Sequence, residues 1–145
     1  MCNLEIKRGD TDKMKITLEN INEVTLQQIF HQAARHLLQQ NKKSQEKVGN
    51  VTGICLYRSG ELMCAAGVFI SDKDYTYGFE GEYIDRVVNR LIYNITSDKL
   101  KLLRRLQIIH DSCTPREWSS KLLGLAVGFN LTNFSLIYQK PEGTV

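Results

Sequence analysis

"GICLYRSGELMCAAGVFI", residues 53–70, places two apolar runs on either side of Ser59-Gly60. That pattern predicts a β-hairpin closed by a two-residue turn. In this register Arg58 faces Glu61, Tyr57 faces Leu62, Leu56 faces Met63 and Cys55 faces Cys64. The two cysteines would form a non-hydrogen-bonded pair with Cα atoms about 4.5 Å apart, at the short edge of disulfide geometry. They admit four readings: a bridge, a metal site, a nucleophile, or two small core residues. A bridge needs an oxidising compartment. A metal needs three or four ligands, and Cys55, Cys64, His110 and Cys113 share no close-set spacing. A nucleophilic Cys64 needs a base, for which His110 beside Asp111 is the candidate. Burial is the simplest account, since free cysteine is among the most buried residue types. "CAAG" at 64–67 then marks close packing of a helix or another backbone against the strand.

Working outward, "TLQQIFHQAARHLLQQNKKS" is an amphipathic helix with Leu26, Ile29, Phe30, Ala33, Leu37 and Leu38 on one stripe and Thr25 as its N-cap. "NKKSQEKVGN" reads as an exposed loop or frayed helix end. Before the helix, Leu4 and Ile6, then Met14, Ile16 and Leu18, alternate as two short strands around the polar turn "RGDTD". After the hairpin, "EYIDRVVNRLIYNI" is a second helix that buries Tyr83, Ile84, Val87, Val88, Leu91, Ile92 and Ile95. Ser97 is expected to cap a third helix, with Leu100, Leu103, Leu106 and Ile109 or His110 inward. "TPREW" starts a fourth, with Thr114 as cap, Pro115 at the first position and Glu117 closing a capping box; Trp118, Leu122, Leu125, Ala126 and Phe129 follow on its apolar stripe. "NFSLIYQK" alternates Phe134, Leu136 and Tyr138 as a last strand. The expected class is α+β: a small mixed or antiparallel sheet with about four helices packed on it, in the order roughly β-β-α-β-β-α-α-α-β.

The 145 residues suit a single domain, 1–145, with an N-terminal strand extension at 1–24 and a loose tail at 140–145. The N-terminus "MCNLEIKRGD" lacks the apolar core of a signal peptide, and no apolar run nears the roughly 20 residues of a membrane span. A cytoplasmic protein with free thiols and no membrane partner is the expectation. The formal charge of +3 neither demands nor excludes a nucleic-acid partner.

Chemistry-bearing residues are sparse. No phosphate-binding glycine loop, zinc-protease, serine-hydrolase or kinase signature is present, so neither a catalytic set nor a metal nor another cofactor is expected. Arg86 and Arg90 share a helical face, and Lys101, Arg104 and Arg105 cluster on the next helix. Converging, they would hold a phosphate or carboxylate, with Tyr57, Tyr75, Tyr77 and Trp118 available to stack on a base. Arg58, Tyr57, Tyr75, Tyr77, Arg86, Arg90 and His110 form the candidate ligand-binding set. The plain alternative is a solvated helix face whose arginines pair with Asp85 and Glu82. For His110, a cap or buried hydrogen bond is the commoner explanation.

From Leu26 to about Leu131 the chain resembles a small protein type recurrent in tailed-phage and prophage genomes. The matching features are "TLQQIF…HLL", "CLYR" at 55–58, "CAAG" at 64–67, Tyr75 with Glu80-Gly81, "LQxxHD" at 106–111 and "PxEW" at 115–118. The segment before Leu26 departs from that pattern, as an added element serving oligomerisation or ligand closure. The resemblance implies a phage accessory protein in bacterial cytoplasm and carries no settled activity. With no catalytic signature, the expected role is non-enzymatic neutralisation of host defence, by sequestering a cyclic or ADP-ribose-derived nucleotide signal. A protein-binding inhibitor of a host enzyme is the alternative, and a small hydrolase using Cys64 or His110 the third.

Overall fold

The computed structural model describes residues 15–48, 51–92 and 94–132. Among them are four α-helices: α1 (Leu26–Gln40), α2 (Ile84–Leu91), α3 (Ser97–Ser112) and α4 (Pro115–Gly128). Two antiparallel two-stranded sheets lie between α1 and α2, β1 (Gln45–Val48) with β2 (Val51–Cys55) and β3 (Arg58–Ser59) with β4 (Leu62–Met63). The α+β class is as expected. The strand expected around Leu4 and Ile6 and the last strand expected over residues 133–140 lie outside the described residues.

The helix starts follow local chemistry. Thr25 Oγ1 accepts from the Gln28 amide at 3.1 Å while Gln28 Oε1 accepts from the Thr25 amide at 2.9 Å, a reciprocal capping box. At α4, Glu117 Oε1 accepts from the Thr114 amide at 2.9 Å, and Pro115 sits where a missing N–H costs nothing. The cap of α3 is Thr96 rather than Ser97; its hydroxyl accepts from the Lys99 amide. Two adjacent residues of nearly equal capping strength cannot be ranked by propensity alone. Helix α2 ends earlier than expected, because Ile92 turns extended and the chain runs on to the Thr96 cap.

The strand region differs from its sequence reading in three places. The β3–β4 turn is Gly60-Glu61, since Arg58 pairs with Met63 and Ser59 with Leu62. Gly60, at φ +63°, takes the first central position of the loop, a placement two-residue hairpins favour for glycine. Cys64 therefore lies across from Tyr57, to whose carbonyl its amide donates at 3.2 Å. Cys55 instead ends β2 opposite Gln45, so the expected Cys55–Cys64 pair is not formed. Residues 45–48, read as a loop, form β1, because ladder pairing overrides the low strand propensity of Gln, Glu and Lys. Residues 67–69, read as strand, form a 3-10 turn, and residues 15–18 join no ladder, Leu18 opening a turn instead.

Helix α1 packs on α3 and α4, and α3 packs on α2 and α4. Their common core holds Phe30, Leu37, Val87, Leu103, Leu106 and Leu122, among others. Trp118 is fully buried, stacks on His110 at 5.6 Å between ring centroids, and donates its indole N–H to Cys113 O at 3.2 Å. Gly67 passes so close to the hairpin that a Cβ there would lie 2.2 Å from the Tyr57 carbonyl oxygen. This close approach is the backbone packing that "CAAG" suggested.

Two substitutions measure this packing. Trp118→Ala should cost about 3–5 kcal/mol in denaturant unfolding; an equally stable variant would remove the indole from the core. Gly67→Ala should cost about 3 kcal/mol or more, since backbone rather than a flexible side chain blocks the added methyl; unchanged stability would mean the two segments do not approach this closely.

Candidate functional site

Most of the aromatic and basic residues singled out in the sequence are occupied by the fold. The Glu80 carboxylate accepts from the Tyr57 amide at 2.7 Å, the Arg58 amide at 3.1 Å and the Tyr75 hydroxyl at 2.5 Å. Arg58 sends its guanidinium to Ile70 O at 2.7 Å and Asp72 at 2.8 Å, with its charge 4.8 Å above the Tyr75 ring centre. Burial, reinforced by the hydrogen bond to Glu80, pushes the Tyr75 phenol up to about 12. The Tyr57 hydroxyl donates to Glu82 O at 2.6 Å, and burial raises it too. These residues clamp the hairpin to the loop that precedes α2.

A cleft of about 640 Å³ opens beside this clamp. One side is a face of α3 bearing Arg104, Gln107, Ile108 and Asp111, spaced three and four apart so that they line up along the helix. The facing side is the start of α2, with Glu82, Tyr83, Asp85 and Arg86; Cys55 and Tyr57 complete the lining. Tyr83 is 82% exposed and Ile108 54% exposed, so both offer apolar surface that the fold leaves uncovered. The Tyr83 finding corrects the expectation of burial. Tyr83 is the N-cap of α2, with extended φ and ψ, so its side chain leaves the helical stripe that Ile84, Val87 and Val88 follow inward.

The charges in the cleft are unequally committed. Arg104 forks onto Asp85 through Nε and Nη2, at 2.5–3.0 Å, and those bonds hold the Asp85 carboxyl below its ordinary range. Arg90 pairs with Glu82 at 3.0 Å and does not line the cleft. Arg86 lines it without an ion-pair partner among the described residues. Of the seven residues expected to bind ligand, the cleft thus gathers Tyr57 and Arg86. Arg58 and Tyr75 belong to the Glu80 clamp, Tyr77 stands 72% exposed in a 3-10 turn, and His110 lies buried behind Asp111.

Cys55, His110 and Asp111 each place a donor atom within 4.8 Å of the others, at the Asp111 end of the α3 face. His110 Nε2 accepts from the Ser44 amide at 3.0 Å, so the ring proton sits on Nδ1, which donates to Asp111 Oδ1 at 2.7 Å. A metal on Nδ1 would drive that proton to Nε2, against the Ser44 N–H. The trio in this arrangement does not fit a metal ion. Nor does it suit a nucleophile. The Cys55 thiol donates to Asp111, and burial with that carboxylate's charge pushes it up to about 11. Burial pushes Cys64, fully enclosed, up to about 12. A reactive cysteine needs a cation beside it, not a carboxylate. No known protein family, curated protein or solved structure matches the chain.

The Cys55 and Cys64 thiols and the Tyr57 and Tyr75 phenols hold their protons more tightly in the folded chain than in the unfolded one. Their contribution to stability is complete below the ordinary thiol value of 9.0 and is lost as pH rises through about 11 for Cys55 and about 12 for Cys64. Urea midpoints should therefore fall on the alkaline side, and Cys64 should resist alkylation in native buffer while reacting in denaturant. Rapid native labelling of Cys64 would overturn its placement.

Proposed function

We propose that the protein is a non-enzymatic binding protein that sequesters a small molecule in the α2–α3 cleft, the most concrete occupant being a nucleotide-derived signal of host antiviral defence. The cleft carries this reading. Its size is that of a small-ligand site, and it joins uncovered apolar surface at Tyr83 and Ile108 to an uncommitted cation at Arg86. The protonated thiols leave a hydrolase without an activated cysteine. The resemblance to phage accessory proteins supplies the setting of host defence and a bacterial cytoplasm. Among the described residues no helix is long and apolar enough to cross a membrane.

A second reading, inhibition of a host protein, draws on a different observation. Leu123 and Val127, one turn apart on α4, stand exposed, Val127 at 72%. An apolar helical edge of this kind suits a protein partner.

Native mass spectrometry of the protein recovered from infected, defence-active cells separates the two. A bound species of nucleotide size that is lost in Arg86→Ala supports sequestration. The loss should be roughly 10- to 150-fold in affinity, the worth of a charge-assisted bond. A bound host protein with an empty cleft replaces sequestration by inhibition.

A further inference from the structure

We infer that the cleft selects a ligand with a single anionic group and a vicinal diol, of the ribonucleoside monophosphate type, over polyphosphates. The inference rests on the reading of the cleft as a binding site and follows from its charges. Two lining arginines, Arg86 and Arg104, stand against three lining carboxylates, Glu82, Asp85 and Asp111. Arg104 is held by Asp85, and Glu82 is balanced from outside the cleft by Arg90. One cationic position, Arg86, is left for an anion. A chain of phosphates would extend past it toward the carboxylates, where like charges repel.

The same carboxylates call for donors. Glu82 Oε1 is shielded and has no hydrogen-bond partner among the described residues, while Oε2 is taken by Arg90. Glu82 lines the cleft with this oxygen unused. Asp111 accepts from His110, Gln107 and the Cys55 thiol, and its side chain is still 38% exposed. A carboxylate is acceptor-only and matches a sugar hydroxyl pair, the chemistry by which acidic side chains hold ribose. Tyr83 and Ile108 supply flat apolar surface on which any base can stack, a contact that tolerates base identity.

The test is calorimetric titration of the intact chain with adenosine monophosphate, its deoxyribo counterpart and adenosine triphosphate. The monophosphate should bind tightest. Loss of one hydroxyl should weaken it about 10-fold, the worth of a hydrogen bond to a charged group, and the triphosphate should bind more weakly than the monophosphate. Glu82→Gln should reduce the ribo-to-deoxyribo ratio. Equal ribo and deoxyribo binding, or tightest binding by the triphosphate, in the wild-type protein overturns the inference whether or not the variant folds. If none of the three binds while a small molecule still co-purifies in an Arg86-dependent manner, this inference fails and sequestration stands. If nothing occupies the cleft in either experiment, both fail.

Discussion

The hydrogen bond from the Ser44 amide to His110 Nε2 governs the junction between the helices and the sheets. Ser44 is buried at the entry to β1, and its carbonyl accepts from the Leu56 amide at 2.9 Å. An N–H buried there without a partner would cost about 1–3 kcal/mol, and α3 supplies the acceptor. Because a neutral imidazole has one acceptor nitrogen, the proton is forced to Nδ1. Asp111 is thereby fixed, and with it the protonated state of the Cys55 thiol. Trp118 closes the other side of the ring by stacking. One backbone donor thus sets the tautomer, the orientation of the carboxylate and the chemistry of a cysteine at the edge of the cleft.

Helix side chains likewise satisfy backbone groups that the ladders leave open. Gln32 bonds both backbone groups of Ile16 at 2.8 Å, donating to its carbonyl and accepting from its amide. Gln40 does the same for Met63 at 2.9 and 3.0 Å, and Gln107 accepts from the Ala66 amide at 2.9 Å. A glutamine amide carries the donor and acceptor of a peptide group, so it can stand in for a ladder partner. Helices rich in glutamine can therefore hold irregular segments that would otherwise need a wider sheet. This explains how a chain with several alternating segments has only two small ladders among its described residues.

The same substitution limits what could be read from the sequence. Thr25, Thr114 and Glu117 announced their helices because capping depends on residues within one turn. The burial of Ile16 and Leu18, and of Trp118 and Leu122, was legible from period alone. The hairpin register was not, because a single glycine fits either central position of a two-residue turn and the choice moves every cross-strand pair. Nor was β1 legible, since its pairing partner, rather than its own propensity, makes it a strand. In the candidate site, Arg86 was found from helical spacing. Tyr83 was missed because periodicity assigns a face to a residue only while it is inside the helix, and Tyr83 sits one position before it. The Glu80 clamp had no local signature: its donors lie five to 23 residues away in sequence.

These two groups of residues separate the scaffold from the site. Tyr57, Arg58, Gly67, Tyr75, Glu80, His110 and Trp118 belong to the scaffold. In each of these a polar group, or in Gly67 the missing side chain, is already occupied by an internal contact. Such residues are bound up in stability and have little interaction left to offer a ligand. The uncommitted groups are Arg86, Tyr83 and Ile108, which stand together on the cleft. The first group therefore sets the framework, while the second sets the surface that the cleft leaves open. Two or three substitutions at the start of α2 and on one face of α3 would change that surface without disturbing the Ser44–His110 junction beneath them.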